Sequence, residues 1–417
     1  MSRKVALDIL LRYEKEHSYL NIILNAYLQQ SCLSRNDKDL TTRLVYGTIQ
    51  NKLYLEYQLA PYIEGKRVKV REKMILLMAL YQLLFLDKIP SYAIINEAVN
   101  LAKQKNQYAG KFVNAILRNF IANGKREIET TDPIVKLSIE SSHPLWLVKM
   151  LSKQYDYKTA KEICFHDNTI PNRTGRVNTL KTTKAKILED HKFTSGTLAN
   201  DSVLYKSGNL ASTSYYQEGL IAIQDESSQL VAPLLAPTKD DLVLDMCCAP
   251  GGKTAHLAAL MDNQGKIIAY DLFEHKIELV KANLKLLGVN NVELHNGDAT
   301  TLKERFPANT FDKILLDAPC SGLGVLKRKP EIRYHDSNAI DAIMKVQVKL
   351  LDNAYYLLKK GGKMVYSTCT INKKENEKMI ARFIEKYPDM QIIEEKTILP
   401  YIYDSDGFYM CKLEKGK

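Results

Sequence analysis

Hydrophobic spacing changes twice along the chain. Over residues 1–125, apolar positions recur every three or four residues in KVALDILLRY, YLNIILNAYL, DLTTRLVYGTIQNKLYLEYQL and KMILLMALYQLLFL, the spacing of one helix face. Pro90 closes the last of these, Ser91 is placed to cap a following helix, YAIINEAVNLAKQ, and AGKFVNAILRNFI stops near Gly124. The polar string NGKREIETTDP then reads as a linker. Over residues 140–215 the pattern is mixed: PLWLVKMLSKQYD predicts a helix behind Pro144, RTGRVNTL alternates like a strand, and TKAKILEDH predicts another helix. A small α+β module follows from that mixture. Over residues 216–417 short apolar runs alternate with helices. DLVLDM, KIIAYD, VELHNGD, DKILLDAP and KMVYSTCT predict strands. TAHLAALM, EHKIELVKANLKLLG and AIDAIMKVQVKLLDNAYYLLKK predict helices, the last ending at Gly361 and Gly362. Such alternation predicts an α/β fold with a parallel, doubly wound sheet.

Ligands on such a sheet sit beyond the carboxyl ends of the strands. The first strand runs into CCAPGGK, whose glycines let backbone approach a ligand and whose helix N-terminus presents free amide groups. Each of the next three strands ends in a carboxylate. Asp271 lies 20 residues past Gly251, where a dinucleotide-type fold places its ribose-binding acid. Asp298 could accept from an adenine amino group, and Asp317 could pair with a cationic amino group or a substrate base. A turn or cap role would account for any one of them. Three in succession behind a glycine loop point to an adenosine cofactor. Without a pyrophosphate cradle, that cofactor is S-adenosylmethionine.

Two cysteines share this edge: Cys320 in LDAPCSG and Cys369 in YSTCTIN, each just past a predicted strand. The other cysteines read more blandly, with Cys32 and Cys164 as core residues and Cys411 in a C-terminal strand. Seven cysteines without disulfide or zinc spacing, and eight histidines without metal spacing, predict a reduced, cytoplasmic protein with no metal. The most apolar run, Met74 to Leu86, is 13 residues long and includes Gln82, too short to cross a bilayer. No membrane contact and no leader are expected.

Net charge is +11, and its placement says more than its size. Basic residues exceed acidic ones by 8 over residues 1–130 and by 3 over 131–220, and balance them over 221–417. A basic half joined to a neutral one suits delivery of a polyanion to a separate site. After Cys320, LKRKPEIRY offers Lys327, Arg328, Lys329 and Arg333 for phosphate contact; a solvated basic loop is the alternative.

DMCCAPGGKTAHLA, DAPCSGLGVLKRKPEIRY and YSTCTINKKENE resemble the signature motifs of the RNA cytosine-C5 methyltransferases. The helical first region resembles the antitermination factor NusB. The combination is similar to the Sun/Fmu (RsmB) group, and the resemblance spans essentially the whole chain. It implies a Rossmann-like class I methyltransferase domain, preceded by an all-α NusB-like RNA-binding domain and a small RNA-binding module. It further implies methyl transfer to carbon 5 of one cytosine in 16S (small-subunit) ribosomal RNA, naked or in an early assembly particle, by a monomer. Cys247, Cys248, Ala249, Pro250, Gly251, Gly252 and Lys253 would line the cofactor, with Asp271, Asp298 and Asp317 at its ribose, adenine and methionine ends. Cys248 stands where alanine or another small residue is expected. Cys369 would be the nucleophile and Cys320 would assist release of the product.

The chemistry needs such residues. Carbon 5 of cytosine is a poor nucleophile until a thiolate adds to carbon 6 and makes the ring an enamine. The thiolate needs a nearby positive charge or dipole, and Asp317 is the candidate for stabilising charge at the base edge. The target base must be unpaired or flipped out. Three function classes follow: this reaction on ribosomal RNA, the same fold acting on transfer RNA or protein, and a non-catalytic RNA-binding antitermination protein. The two cysteines weigh against the last, and the basic first half weighs against a protein substrate.

Overall fold

In the computed structural model, which describes residues 1–16 and 18–417, the chain forms two compact units: Met1–Asn168 with Arg328–Tyr334, and Thr169–Lys327 with His335–Lys417. His17, one of the eight histidines, lies outside the described residues. Among the described residues no helix is long and apolar enough to cross a membrane.

The first unit is helical. Its central helix, Val70–Phe85, is buried continuously from Met74 to Gln82, as expected of a helix apolar on every side. Gln82 is accommodated because its amide donates to Met78 O and accepts from Arg3 Nε at 2.8 Å. Helices Ser2–Glu16 and Arg35–Gln50 supply Leu7, Leu10, Leu44 and Val45 to the same core. Gly47 lets helix Arg35–Gln50 close on Val70–Phe85: a Cβ there would lie 2.0 Å from the Tyr81 ring. Ser34 and Asn106 cap their helices by accepting the N–H of Asp37 and Ala109. Ser91 does not cap. It is the first residue of helix Ser91–Lys103, because Pro90, with its fixed extended backbone, takes the cap position. Cys164 is buried as expected, but Cys32 is exposed, since helix Leu20–Gln30 ends before it and leaves it in the connection to the next helix.

The sequence pattern groups residues 140–215, whereas packing divides them. Helices Pro133–Glu140, Leu145–Gln154 and Tyr157–His166 belong to the helical unit. So does Arg333, which is fully buried and donates from Nη1 to Gln50 O, Ser142 O and Asn168 Oδ1 at 3.1, 3.3 and 3.1 Å. Arg333 is therefore a structural hub and not a phosphate contact. Lys327 is spent as well, with Nζ 2.7 Å from Asp404 Oδ1.

In the second unit a small antiparallel sheet has the order β2-β3-β1-β4, from β1 Thr174–Val177, β2 Phe193–Ser195, β3 Ser202–Tyr205 and β4 Ile221–Ile223. Buried Asn178 donates to Gly219 O and to Leu287 O, both at 2.8 Å, tying this sheet to the larger one's second helix. The larger sheet has the order β10-β11-β9-β8-β5-β6-β7. Its strands are β5 Leu242–Asp245, β6 Lys266–Asp271, β7 Val292–Asn296, β8 Phe311–Asp317, β9 Leu358–Thr368, β10 Met390–Ile398 and β11 Phe408–Lys415. β5 to β9 run parallel, but β11 pairs antiparallel with both β9 and β10. The sheet is thus mixed, not purely parallel, because the chain turns back through residues 399–407 after β10 and lays β11 antiparallel beside it, without the helical crossover that parallel neighbours need. The long helix ends at Leu357, before the glycines, because Leu358 already pairs with Phe311 in β8. Strand order reverses at β5, which lies between β8 and β6. That reversal opens a crevice at the carboxyl ends of β5 and β8.

Candidate active site

The loop after β5 turns at Gly251, whose φ of +97° favours glycine, and enters helix Gly252–Leu260. At Gly252 a Cβ would meet no atom closer than 3.9 Å, so the helix start is open to close approach. Cys248 is buried and packs with Ala255, Ala269 and Val280, its backbone N–H donating to Tyr270 O at 2.8 Å. Cys247 is half-buried, and burial pushes its thiol well up. Pro250 O accepts from Asn283 Nδ2 at 2.8 Å, which fixes the far side of the loop.

The three strand-end aspartates occupy different environments. Asp271 is buried and accepts from Ala249 N at 3.3 Å and Phe273 N at 3.1 Å, holding the two neighbouring loops together. Asp298 is exposed and caps the turn Ala299–Glu304 through Thr300 N at 2.8 Å. Asp317 accepts from Lys253 Nζ at 2.6 Å and from Ser367 Oγ at 2.8 Å. Burial works against the Lys253 ammonium, but Asp317, Cys369 and Asp245 together outweigh it and raise its pKa.

Cys320 and Cys369 lie at the ends of the adjacent strands β8 and β9, and their sulfurs approach to 3.3 Å. The Cys320 thiol is pushed well above the ordinary thiol range, first by its hydrogen bond to the Cys369 sulfur, then by burial and by Glu375. A backbone junction lies behind them: Gly324 N donates to Cys369 O at 3.0 Å, and Gly407 N donates to Gly324 O at 2.7 Å. A Cβ on Gly324 would lie 1.9 Å from Gly407 O.

Sequence reasoning missed two carboxylates. Asp245 ends β5, is fully buried, and accepts from Thr254 Oγ1 at 2.7 Å; burial pushes its carboxyl up to about 7. It ends a strand as Asp271 and Asp317 do, whereas Asp298 lies two residues past the end of β7, so the same rule was available to find it. Glu375 is also fully buried, below both cysteine loops. It sits in a charged string, KKENE, that carries no apolar pattern. Among the described residues no group of three or more His, Cys, Asp or Glu side chains could share a metal ion.

Three family models match the chain: the NusB family over residues 1–122, the RsmF/B-like ferredoxin-like domain over 143–192, and the 16S rRNA methyltransferase RsmB/F over 232–414. The chain is 38% identical to "Probable ribosomal RNA small subunit methyltransferase B" of Bacillus subtilis, with 99% of this chain and 98% of that protein covered. The protein of the same name in Synechocystis is 31% identical, with 100% of this chain and 99% of that one covered. The crystal structure of PH0851 superposes with a TM-score of 0.85 at 23% identity, covering 100% of this chain and 99% of that one, and so shares the fold. With a full-length relative at this identity and all three family models in order along its sequence, the chain belongs to the RsmB/F family of 16S rRNA methyltransferases.

Proposed function

We propose that this protein transfers the methyl group of S-adenosylmethionine to carbon 5 of a cytosine in 16S ribosomal RNA, through a transient bond between Cys369 Sγ and carbon 6. The observation that carries the reading is the approach of two thiols to 3.3 Å beside the Lys253–Asp317 ion pair, at the switch point of a doubly wound sheet.

The residues present fit the cofactor. The open start of helix Gly252–Leu260 and the turn at Gly251 suit the carboxylate of the methionine tail, and the exposed carboxylate of Asp298 suits the adenine amino group. Asp271 would hold the ribose and Asp298 the adenine, with the methionine end directed toward Asp317. When bound, S-adenosylmethionine supplies an electrophilic methyl group.

The chain's own residues do the rest. Cys369 adds to carbon 6, and the electron pair displaced from the ring makes carbon 5 nucleophilic. Lys253 supplies positive charge on the Cys369 side, and with Asp317 forms a polar pair for the base edge. The contact with the Cys369 sulfur and burial push the Cys320 thiol up, and Lys253 lies on the side of Cys369. After methylation Cys320, as thiolate, or water takes the proton from carbon 5, the electron pair left behind re-forms the C5–C6 double bond, and the Sγ–C6 bond breaks to return the Cys369 thiolate. The basic excess over residues 1–130, in the part that matches the NusB family, supports an RNA-binding role there.

Labelled S-adenosylmethionine incubated with the protein and total RNA tests the reading. 5-Methylcytidine in 16S ribosomal RNA is expected. Its appearance in transfer RNA alone would move the substrate, and no transfer to any RNA would favour the non-catalytic alternative.

A further inference from the structure

We infer that Glu375 is a positioning residue: one buried carboxylate that sets the two cysteine loops in register. This rests on the reading that Cys369 attacks and Cys320 assists release. Glu375 Oε2 accepts from Ser321 N at 2.8 Å and from Gln347 Nε2 at 3.2 Å, and Oε1 accepts from Ser321 Oγ at 2.5 Å and from Asn372 Nδ2 at 3.0 Å. Ser321 follows Cys320, and Gln347 Nε2 also donates to Pro319 O at 2.9 Å, on the other side of Cys320. Asn372 lies on the loop leaving Cys369, and Thr370 Oγ1 of that loop lies 2.9 Å from Ser321 Oγ. Both flanks of one cysteine and the exit of the other therefore converge on a single side chain. None of these four hydrogen bonds reaches a sulfur, so Glu375 acts on the geometry through the loops, beside the effect of its charge on the Cys320 thiol.

The two chemical steps depend differently on this register. Attack needs only Cys369 at carbon 6. Release needs the Cys320 sulfur at the same base while Cys369 is bonded to it. Misplacement by about 1 Å can cost on the order of a hundredfold in rate, and here that loss falls on release. Glu375→Gln keeps the volume but puts an NH2 group where two donors point. Ser321→Ala removes one donor and is the milder change.

The test compares wild type, Glu375→Gln, Ser321→Ala, Cys320→Ala and the Cys320→Ala/Glu375→Gln double variant. Each is mixed with 16S rRNA transcript and S-adenosylmethionine, and the covalent protein–RNA adduct is followed on denaturing gels. Adduct formation by Glu375→Gln should stay within about threefold of wild type, while its resolution slows about tenfold or more. Ser321→Ala should move the same way by less, and it carries the test if Glu375→Gln does not fold. The double variant should accumulate no more adduct than Cys320→Ala alone, because both changes remove one function. A second arm omits RNA. Diamide takes one hydrogen from each thiol, its N=N bond is reduced to the hydrazine, and a Cys320–Cys369 disulfide forms, measured by mass spectrometry. Disulfide formation should be about tenfold slower in Glu375→Gln, since effective concentration falls with loss of register. Wild-type rates of both adduct resolution and disulfide formation in folded Glu375→Gln would overturn the inference. So would equal losses in cofactor affinity, adduct formation and resolution, which mark a role in stability alone. If no variant forms an adduct but Glu375→Gln still cross-links slowly, the catalytic reading fails and the placement of Glu375 stands.

Discussion

Lys253 Nζ lies 2.6 Å from Asp317 Oδ2, so the loop after β5 and the end of β8 are joined by an ion pair at the point where the sheet's order reverses. Both side chains are mostly buried. Removing one charge leaves the other desolvated, which costs more than the pair itself contributes. Asp317→Asn should lower stability by roughly 1–3 kcal/mol, between the values for exposed and fully buried pairs. It should lower methyl transfer by about a hundredfold or more, as loss of one preorganised electrostatic group does. Urea denaturation and single-turnover transfer read the two effects separately. Wild-type transfer by a stable Asp317→Asn protein would remove Asp317 from the reaction.

The two sulfurs make opposite failures testable. Cys369→Ala should abolish transfer and form no covalent RNA complex. Cys320→Ala should attack and transfer the methyl group, then stall as an adduct through Cys369. Denaturing electrophoresis after mixing with RNA and cofactor separates them. An adduct in Cys369→Ala but not in Cys320→Ala would exchange the two roles.

Asp245 gives a pH signature. Burial raises its carboxyl to about 7, partly offset by the hydrogen bond from Thr254. The folded state therefore prefers the protonated acid, whereas the unfolded chain ionises near the ordinary aspartate value of about 4. Its contribution is full below about pH 4, is lost progressively as pH rises toward 7, and is level above that. The loss reaches about 4 kcal/mol at most, from three pH units at about 1.4 kcal/mol each. Asp245→Asn keeps an acceptor in place and cannot ionise. Relative to wild type, it should gain stability between pH 5 and pH 8 in cofactor-free urea denaturation. Parallel pH profiles for the two proteins would contradict the assignment.

Arg333 separates a structural role from an RNA-binding one. Its guanidinium donates to three backbone carbonyls, of Gln50, Ser141 and Ser142, and to Asn168 Oδ1 in a fully buried position. Arg333→Met strands those acceptors and should cost about 2–4 kcal/mol. RNA affinity of the folded variant, and its dependence on salt, should not change. A phosphate contact would instead reduce the salt slope by about one while leaving stability alone.

Local pattern determined a large part of this protein. Helical spacing in the first 125 residues, strand–helix alternation after 216, the glycine loop and the acids at strand ends all follow from periodicities of a few residues. Cys320 and Cys369 could be placed at strand ends on the same ground. What tertiary structure alone decided is which of these groups meet. Lys253 and Asp317 are 64 residues apart and Cys320 and Cys369 are 49 apart. Their contacts exist only because β8 is laid between β5 and β9. Period-two patterning fixes which face a side chain takes, but not which strand lies next to it. The same holds where expectation and structure part. Arg333 looks like a phosphate ligand in a basic string, yet it is buried among helix-end carbonyls far away in sequence. The helix thought to reach Gly361 stops at Leu357 because β8 offers Leu358 a pairing partner. Glu375 carries no signal in its neighbours at all. Its position is set by donors from Ser321, Gln347 and Asn372, and a buried carboxylate is tolerated only where such donors converge.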